Sequence, residues 1–219
     1  WLEKQLSFPI HKVKKGDLKE DVINAISGKY KFISIPLFSK NSETGKKGLT
    51  RRQCTADYKI VPIVQKVRQL LGLQKGERVK RDMKVEMLMG ISYDEIYRIK
   101  PNRLPYITNV YPLADMKMGR LDCLNWMKNN GYPKPPRSAC TFCPFHSNEE
   151  WRNIKQNKDE WEDAIKLDKI IRKASRLKEF DELYLHKSRT PLDQADLSDP
   201  KDNQLNLFVD GCVEGYCGN

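Results

Sequence analysis

Two cysteines, Cys140 and Cys143, lie three residues apart in the run SACTFCPFH at positions 138–146. A Cys-x-x-Cys turn lets both sulfurs face one point, which is the arrangement that a zinc ion or an iron–sulfur cluster requires. Pro144 follows the second cysteine directly, and Cys-x-x-Cys-Pro is more typical of iron–sulfur clusters than of zinc fingers. No second ligand pair follows at zinc-finger spacing. The other ligands of a metal site must therefore come from distant parts of the chain.

The number of cysteines helps to decide between a disulfide-bonded secreted protein and a reduced intracellular one. The 219 residues include six cysteines, which are Cys54, Cys123, Cys140, Cys143, Cys212 and Cys217. Three disulfides would suit a secreted protein, but a chain of this length buries a core without them. No signal peptide, N-x-S/T sequon or apolar run of membrane-spanning length is present. We therefore expect a reduced, cytoplasmic protein with no membrane contact, in which Cys123, among apolar residues of a predicted helix, is a buried structural thiol.

The chain is strongly basic, with a net charge of +11 from 40 Lys plus Arg against 29 Asp plus Glu. The excess is concentrated in residues 40–52, 75–84 and 98–103. A run of charge is most often a solvated face. A basic chain is also biased towards polyanions, either nucleotides or nucleic acid, and the charge alone does not choose between these partners.

The best local anion-binding group is a set of four cations that we call the basic loop, namely Lys46, Lys47, Arg51 and Arg52. Ammonium and guanidinium donors around a glycine-containing loop suit phosphate or sulfate oxygens. A simple solvated loop is the alternative interpretation.

The elements that must position these residues alternate between strands and helices. The periodicity predicts strands over 8–13, 32–38 and 85–91, and helices over 18–28 and 60–71. Ser92 is predicted to cap the start of a short helix. The negative charges of Asp94 and Glu95 in its first turn are expected to complement the positive end of the helix dipole. Strands that alternate with helices favour an α/β fold with a mostly parallel sheet flanked by helices.

The pattern changes after residue 111, and we predict two domains. Residues 1–112 read as the C-terminal part of a nucleotide-binding α/β domain. Residues 113–219 read as a helical region organised around a Cys-ligated metal site, with helices over 119–129 and 148–178 and an extended tail. The larger apolar residues of the last helical stretch are predicted to be buried, and these are Trp151, Ile154, Trp161, Ile165, Ile170 and Ile171.

A set of segments occurs in the order of a known family. They are RRQCTADYKIVPI at 51–63, MGIS at 89–92, RLDC at 120–123, NGYP at 130–133, PPRSAC at 135–140, LHKSR at 185–189 and CG at 217–218. Together they resemble the phosphoadenosine phosphosulfate reductase-like proteins of bacteria and phages. That family belongs to the adenine nucleotide α-hydrolase group, which also holds ATP pyrophosphatases and enzymes that thiolate RNA or DNA. The resemblance covers nearly the whole chain and implies a bacterial or phage-encoded protein.

The resemblance implies a set of metal ligands. Cys54 corresponds to the distal ligand of the [4Fe–4S] cluster that the resemblance implies, alongside Cys140 and Cys143, with zinc as the alternative metal. Cys217 matches the terminal Cys-Gly and is the expected fourth ligand. His146 is an alternative fourth ligand, although an imidazole at this spacing is more often a hydrogen-bond donor beside the site. Three protein ligands would leave one iron open, and in thiolating relatives that iron can hold a sulfur.

The resemblance also implies a nucleotide site, with one departure. Arg120 corresponds to a nucleotide-side position of the family and joins the basic loop as a candidate. The family's Ser-Gly-Gly-x-Asp-Ser-like loop, whose amides hold phosphate at a helix start, is not found. We expect that loop to lie upstream of Trp1. In sulfonucleotide reduction, Cys217 would be a mobile catalytic nucleophile, a role it cannot combine with permanent ligation.

The implied function is adenine-nucleotide-dependent sulfur transfer or sulfonucleotide reduction by an iron–sulfur enzyme that uses ATP or a sulfonucleotide. The basic charge favours a nucleic-acid acceptor. The full-length protein would be a reductase, a sulfurtransferase or an ATP pyrophosphatase. The alternative is a non-catalytic, metal-stabilised module that binds nucleic acid or a partner protein and has lost its phosphate loop. ATP hydrolysis by the full-length protein would separate the two interpretations.

Overall fold

The computed structural model describes residues 2–30, 33–135, 138–172 and 182–198. The chain forms two compact units. The first unit comprises Trp1–Val67 and Ala139–Asn219, and the second comprises Arg68–Ser138. The domain boundary predicted after residue 112 falls inside the second unit. No helix among the described residues is long and apolar enough to cross a membrane.

The mixed α/β composition is confirmed. The α-helices of the described residues are α1 Leu18–Ile26, α2 Val61–Leu70, α3 Pro112–Asp115, α4 Arg120–Asn129, α5 Asn148–Gln156 and α6 Lys158–Arg172. Shorter 3₁₀ helices span Leu2–Lys4, Tyr93–Arg98 and Leu192–Gln194, and one π-helical turn spans Ala56–Ile60. The predicted helices over 18–28, 60–71, 119–129 and 148–178 are thus present, the last as two helices. Residues 173–178 of that prediction lie outside the described residues.

Helix α1 shows how local sequence sets these boundaries. The carboxylate of Asp17 accepts hydrogen bonds from the backbone N–H groups of Lys19 and Glu20, so the first donors of the helix are satisfied. Gly28 follows the end of the helix with a φ of 92°. Glycine adopts this conformation at little cost in free energy, because it has no Cβ. The helix buries Val22 and Ala25, and Val22 belongs to the core of the first unit.

The strands are short and differ in direction between the units. The first unit holds an antiparallel sheet in the order β2–β1–β5, formed by β1 Phe38–Lys40, β2 Lys47–Leu49 and β5 Glu182–Tyr184. The second unit holds a parallel pair, β3 Val85–Leu88 with β4 Ile107–Val110. The predicted parallel sheet is therefore confirmed as a small one. A tight turn from Asn41 to Lys46 joins β1 to β2, and so short a connection allows antiparallel pairing only.

Two predicted strands differ from the structure. Residues 8–13 have no regular secondary structure, so that prediction was wrong. Of the strand predicted over 32–38, residue 32 lies outside the described residues, residues 33–37 are not in a strand although Ile35 and Leu37 are buried, and β1 begins at Phe38. Pro36 has no N–H for a ladder, and the N–H of Leu37 donates to the Thr50 hydroxyl at 2.7 Å. This stretch is a buried extended segment rather than a strand.

The core of the first unit is built by α1, α5, α6 and β5. Its buried apolar residues are Val22, Ile35, Leu37, Phe142, Trp151, Ala164, Leu167, Ile171, Leu183, Leu185, Leu192 and Leu197. Trp151 and Ile171 are buried as predicted, while Ile154, Trp161 and Ile165 pack partly buried against this core. The prediction for Ile170 was wrong, since it is 38% exposed. The inward face of α6 is set by Leu167 and Ile171, four residues apart, and Ile170 lies off that face.

A buried carboxylate joins three segments of this core. Asp168 of α6 is 1% exposed, and its two oxygens accept the backbone N–H groups of Leu185 and Leu192, each at 3.1 Å. The Nε of Arg172 lies 3.3 Å from the same carboxylate. Burial raises the pKa of Asp168, and these donors oppose that rise.

In the second unit, a carboxylate from one helix caps another. Asp94 accepts the backbone N–H of Arg120 at 2.6 Å, and Asp122 accepts that of Gly119 at 2.9 Å. A Cβ at Gly119 would lie 3.1 Å from the Asp94 carboxylate, so glycine permits this close approach. Glu95 pairs instead with Arg98 at 2.8 Å. Asp94 thus caps α4, a partner that the sequence did not indicate.

Candidate thiol metal centre

The residues Cys140 to His146 form a folded turn, here called the thiol turn. The N–H of Cys143 donates to the carbonyl of Cys140 at 2.9 Å, and the N–H of His146 donates to the carbonyl of Cys143 at 3.1 Å. The backbone N–H of Phe145 acts to lower the pKa of the Cys143 thiol, against the larger effect of burial. Phe142 and Pro144 are buried, and Phe142 belongs to the core of the first unit. The turn is therefore held both by its own hydrogen bonds and by the packing beneath it.

Cys54 approaches from a separate segment of the same unit. The N–H groups of Gln53 and Cys54 both donate to the carbonyl of Ser34, at 2.9 and 2.7 Å, and Cys54 packs against the core. The π-helical turn Ala56–Ile60 follows directly, and such turns occur frequently at functional sites. Within it, the Tyr58 hydroxyl donates to the carboxylate of Asp21 on α1, which ties this segment down.

Cys54 lies within electrostatic range of the thiol turn. Partial burial raises the pKa of Cys140, and the charge of Cys54 raises it further. Burial is also the largest cause of the raised pKa of Cys143, to which the charges of Cys140 and Cys54 add. Without a bound cation the thiols of Cys140 and Cys143 are therefore held in the neutral form at neutral pH. A cation that replaced the protons would relieve the mutual repulsion of three thiolates.

The spacing of the three sulfurs is looser than that of a finished ligand set. Across residues 2–30, 33–135, 138–172 and 182–198, no three Cys, His, Asp or Glu side chains are grouped closely enough to hold one metal ion. Cys140 is exposed, whereas Cys54 and Cys143 are half-buried.

The basic loop is divided between two places. The guanidinium of Arg52 lies over the ring of Phe145, 5.4 Å from its centroid, and its charge lowers the pKa of Cys143 against the effect of burial. Lys46 and Lys47 lie at the exposed end of the β1–β2 hairpin, and Arg51 is exposed beyond it. Only Arg52 of the four basic-loop residues is thus brought against the thiol turn by these contacts.

Arg189 is a residue of this region that sequence reasoning missed. Its guanidinium donates to the carbonyl of Ser39 on β1 at 3.0 Å and to that of Gly48 on β2 at 3.1 Å, and lies over the ring of Phe38. It therefore joins β1 to β2, and β2 carries Lys47. Its φ of 60°, uncommon for a residue with a Cβ, has no sequence signal, and only the motif LHKSR at 185–189 indicated that the segment mattered.

The other predicted site residues lie elsewhere. Arg120 begins α4 in the second unit, where its backbone N–H is already bound by Asp94, so the start of this helix is occupied by carboxylates. Cys123 is half-buried on α4. Cys212 and Cys217 lie outside the described residues, so the predicted ligation or nucleophilic role of Cys217 stays a prediction.

His146 is buried against the thiol turn with one ring nitrogen engaged by the backbone. Its Nε2 lies 2.7 Å from the carbonyl oxygen of Cys140, and its Nδ1 lies 3.6 Å from a carboxylate oxygen of Glu150. In this arrangement Nε2 is hydrogen-bonded to the backbone, and the role of His146 as a ligand or as a donor beside a metal site stays a prediction.

Comparisons with known proteins add no relative to this description. No protein-family model, no curated protein and no solved structure matches the chain.

Proposed function

We propose that this chain is a phosphoadenosine phosphosulfate reductase-like iron–sulfur protein in which Cys54, Cys140 and Cys143 hold the cluster. One observation carries the proposal. Cys54 is far from the thiol turn in sequence, and yet it packs against the same core as Phe142 of that turn, while Arg52, two residues before it, lies over the ring of Phe145 at 5.4 Å from the centroid. Thiols from two distant segments that are held by one core are the donors that a single thiolate-ligated metal centre requires.

The donor set fits such a centre. Thiolates are soft ligands that select zinc, copper(I) and iron–sulfur clusters over hard cations. The N–H of Phe145 and the charge of Arg52 both favour the ionised form of Cys143, which is the form that ligates. When bound, an iron–sulfur cluster would supply an iron able to hold sulfur or a centre able to pass electrons. The thiols of this chain would bind and orient it.

The same proposal includes an adenine nucleotide, either ATP or a sulfonucleotide, at the β1–β2 hairpin. Lys47 lies directly opposite Lys40 across the pair of strands, and like charges in that position are destabilising unless an anion lies between them. Glu182 is opposite Lys40 on its other side and offsets part of that charge. Phosphate oxygens at the exposed end of the hairpin would offset the rest.

The metal centre is tested by anaerobic purification of the full chain. We expect a brown protein with broad visible absorbance and with iron and sulfide in comparable amounts. Cys54→Ser, Cys140→Ser and Cys143→Ser should each abolish retention of iron, because each removes a thiolate ligand. Cys123→Ser is the matched control and should retain it. Colourless protein with stoichiometric zinc would leave a structural zinc site, and protein without any metal would overturn the centre.

The fourth ligand is tested by thiol labelling of the metal-loaded protein followed by mass mapping. Protection of Cys217 together with Cys54, Cys140 and Cys143 supports four-thiolate ligation. Rapid labelling of Cys217 beside three protected cysteines supports an open iron or a mobile nucleophile. Sulfonucleotide reduction by a Cys217→Ser variant then separates these two, since only the nucleophile needs that sulfur.

The nucleotide site is tested by binding of ATP and of a sulfonucleotide to the full chain. Lys47→Ala and Arg51→Ala should each weaken affinity by about 1.5–3 kcal/mol, the contribution of one charge-assisted contact. Lys75→Ala, an equal loss of charge at an exposed position of the second unit, is the control and should change little. Equal affinities in all three variants would favour the alternative interpretation, in which the hairpin is a solvated surface without a nucleotide site.

The same exposed cations favour one second candidate, a metal-stabilised module that binds nucleic acid without catalysis. It predicts binding that weakens steeply with salt and tolerates any sequence, because counterion release drives it. It also predicts no ATP hydrolysis by the full-length protein. Hydrolysis that depends on Lys47 would rule this candidate out.

A further inference from the structure

The His146 side chain is held in one orientation by its surroundings. The ring is 8% exposed and meets the ring of Trp151 edge to face, with 4.8 Å between centroids. Trp151 is itself fully buried in the core of the first unit and meets Trp161 in the same way, at 6.5 Å. The imidazole is therefore fixed by a row of aromatic rings, in edge-to-face contact, that reaches into the core.

From that orientation His146 binds the backbone of both cysteines. Its Nε2 lies 2.7 Å from the carbonyl of Cys140, and since a carbonyl can only accept, Nε2 carries the hydrogen. Its own backbone N–H donates to the carbonyl of Cys143. The carbonyl of Cys140 also accepts the N–H of Cys143 at 2.9 Å. His146 thus fixes the peptide groups of Cys140 and Cys143, and with them the backbone positions from which both thiols project.

The other side of the ring faces the start of α5. Nδ1 lies 3.6 Å from the Oε2 atom of Glu150, and the same oxygen accepts the N–H of Ser147 at 2.8 Å. The Ser147 hydroxyl in return accepts the N–H of Glu150 at 3.2 Å, which completes a capping box. The thiol turn and the first turn of α5 are therefore joined through one side chain.

We propose that His146 is a positioning residue that sets the orientation of Cys140 relative to Cys143 before a metal arrives. This inference rests on the proposed metal centre and concerns the residue that preorganises it. Cys140 is the exposed member of the thiol set, so its orientation has the least support from packing. A turn already held in the binding geometry loses less conformational freedom on ligation and therefore binds more tightly.

Two substitutions separate the hydrogen bond from the mere presence of a polar group. In glutamine the amide nitrogen occupies the place of Nε2, and in asparagine it occupies the place of Nδ1. His146→Gln should therefore keep the donor to the Cys140 carbonyl, and His146→Asn should lose it. His11→Asn, at an exposed histidine, is the matched control.

The probe is cobalt(II) added to the metal-free full chain, read by its thiolate-to-cobalt charge-transfer absorbance. We expect His146→Asn to bind about 10–100-fold more weakly than the wild type, as for other residues that orient metal ligands. Its band at saturation should also be altered, which a simple loss of stability would not cause. His146→Gln should restore both properties, and His11→Asn should match the wild type.

The outcomes distinguish this inference from the proposed function. A wild type that binds cobalt without a thiolate band would overturn the thiol centre, and the inference with it. A normal wild-type band together with equal affinity and an equal spectrum in His146→Asn would overturn the inference alone. Thermal unfolding of each variant shows which ones are folded. If His146→Asn fails to fold, a weak or altered band in the folded His146→Gln still contradicts the proposal.

Discussion

Two tryptophans show how differently the two units are built. Trp151 in the first unit is 0% exposed and lies among the side chains of α1, α6 and β5. Trp126 in the second unit is 52% exposed and stacks on Tyr132, with 5.5 Å between ring centroids. The same side chain is a centre of the core in one unit and a surface residue in the other.

The contrast extends to the rest of the second unit. Its buried residues, within the described part, are Leu73, Ser92, Ile107 and Ala114. Leu88 at the end of β3 and Leu121 on α4 are each 69% exposed. A parallel pair of strands is normally covered on both faces, so a unit that leaves Leu88 exposed holds its sheet with little apolar burial.

The difference in packing between the two units indicates where a site with precise geometry can form. A ligand must be held within a fraction of an ångström, and only packed neighbours and multiple hydrogen bonds achieve this. The thiol turn has both, through Phe142 and His146. Cys123 lies on α4, whose face carries the exposed Leu121 and Trp126. The variants below are ordered by the size of the effect with which they test this contrast.

The largest effect is expected at the two tryptophans. Trp151→Ala should lower the free energy of unfolding by about 3–5 kcal/mol, because it leaves a large cavity in the core. Trp126→Ala should lower it by about 1 kcal/mol or less, since it removes one exposed ring pair. Urea unfolding followed by circular dichroism measures both. Similar losses in the two variants would break the contrast between the units.

The second effect concerns the buried carboxylate. Asp168→Ala should cost about 3 kcal/mol, because the N–H groups of Leu185 and Leu192 and the charge of Arg172 lose their shared partner. Asp168→Asn keeps one acceptor oxygen and should cost less. The comparison is again made by urea unfolding. An Asp168→Ala variant as stable as the wild type would show that water replaces the carboxylate freely.

The matching carboxylate of the second unit should matter less. Asp94→Ala removes the acceptor for the N–H of Arg120 at the start of α4, which should cost about 1 kcal/mol, as for other helix caps. Asp94→Asn keeps an acceptor and should recover most of this loss. Hydrogen exchange of the first amides of α4 gives a local measurement. Unchanged protection of these amides in Asp94→Ala would contradict the assignment.

The smallest effect is a dependence on pH that belongs to the first unit. All three histidines of the chain, His11, His146 and His186, lie in that unit. Burial is the main cause of the lowered pKa of His186, and the charge of Lys187 adds to it. The neutral ring is thus favoured in the folded state. Its contribution to stability is present above the unfolded-state pKa and is lost as the pH falls through the folded-state pKa.

The measurement is the slope of unfolding free energy against pH, between about pH 7 and pH 5. His186→Gln keeps a donor towards Asn148, which lies 3.2 Å from Nε2, but cannot gain a proton. Its stability should therefore fall less steeply on acidification than that of the wild type. His11→Gln, at an exposed position, is the control and should keep the wild-type slope. Parallel slopes in wild type and His186→Gln would contradict the prediction.

Local features of the sequence determined much of what is observed. The Cys-x-x-Cys-Pro spacing predicts a tight turn because its hydrogen bonds join residues three apart, and the Cys140–Cys143 bond is of this kind. The helices α1, α4, α5 and α6 follow from apolar periodicity and their end signals, which also act over a few residues. The mixed α/β class follows from the same patterns.

Tertiary structure decided what depends on distant partners. The strand directions of the first unit depend on a hairpin turn and on the pairing of β1 with β5, which is remote in sequence. Arg52 lies over Phe145, and Asp94 caps α4, although neither partner is close along the chain. No short window contains both members of such a pair. These contacts are set by burial summed over the whole core, so a local pattern carries no signal for them.

In the candidate site too, the sequence determined the chemistry of the side chains and the tertiary structure determined where they lie. The residue types and spacing indicated which thiols could ligate, since sulfur chemistry belongs to the side chain itself. Only the fold brought Cys54 within range of Cys140 and Cys143, and only the fold turned the His146 ring onto the Cys140 carbonyl. The reason is that the position of a ligand is fixed by packing around it, through Trp151 and its neighbours, and packing is a property of the assembled core.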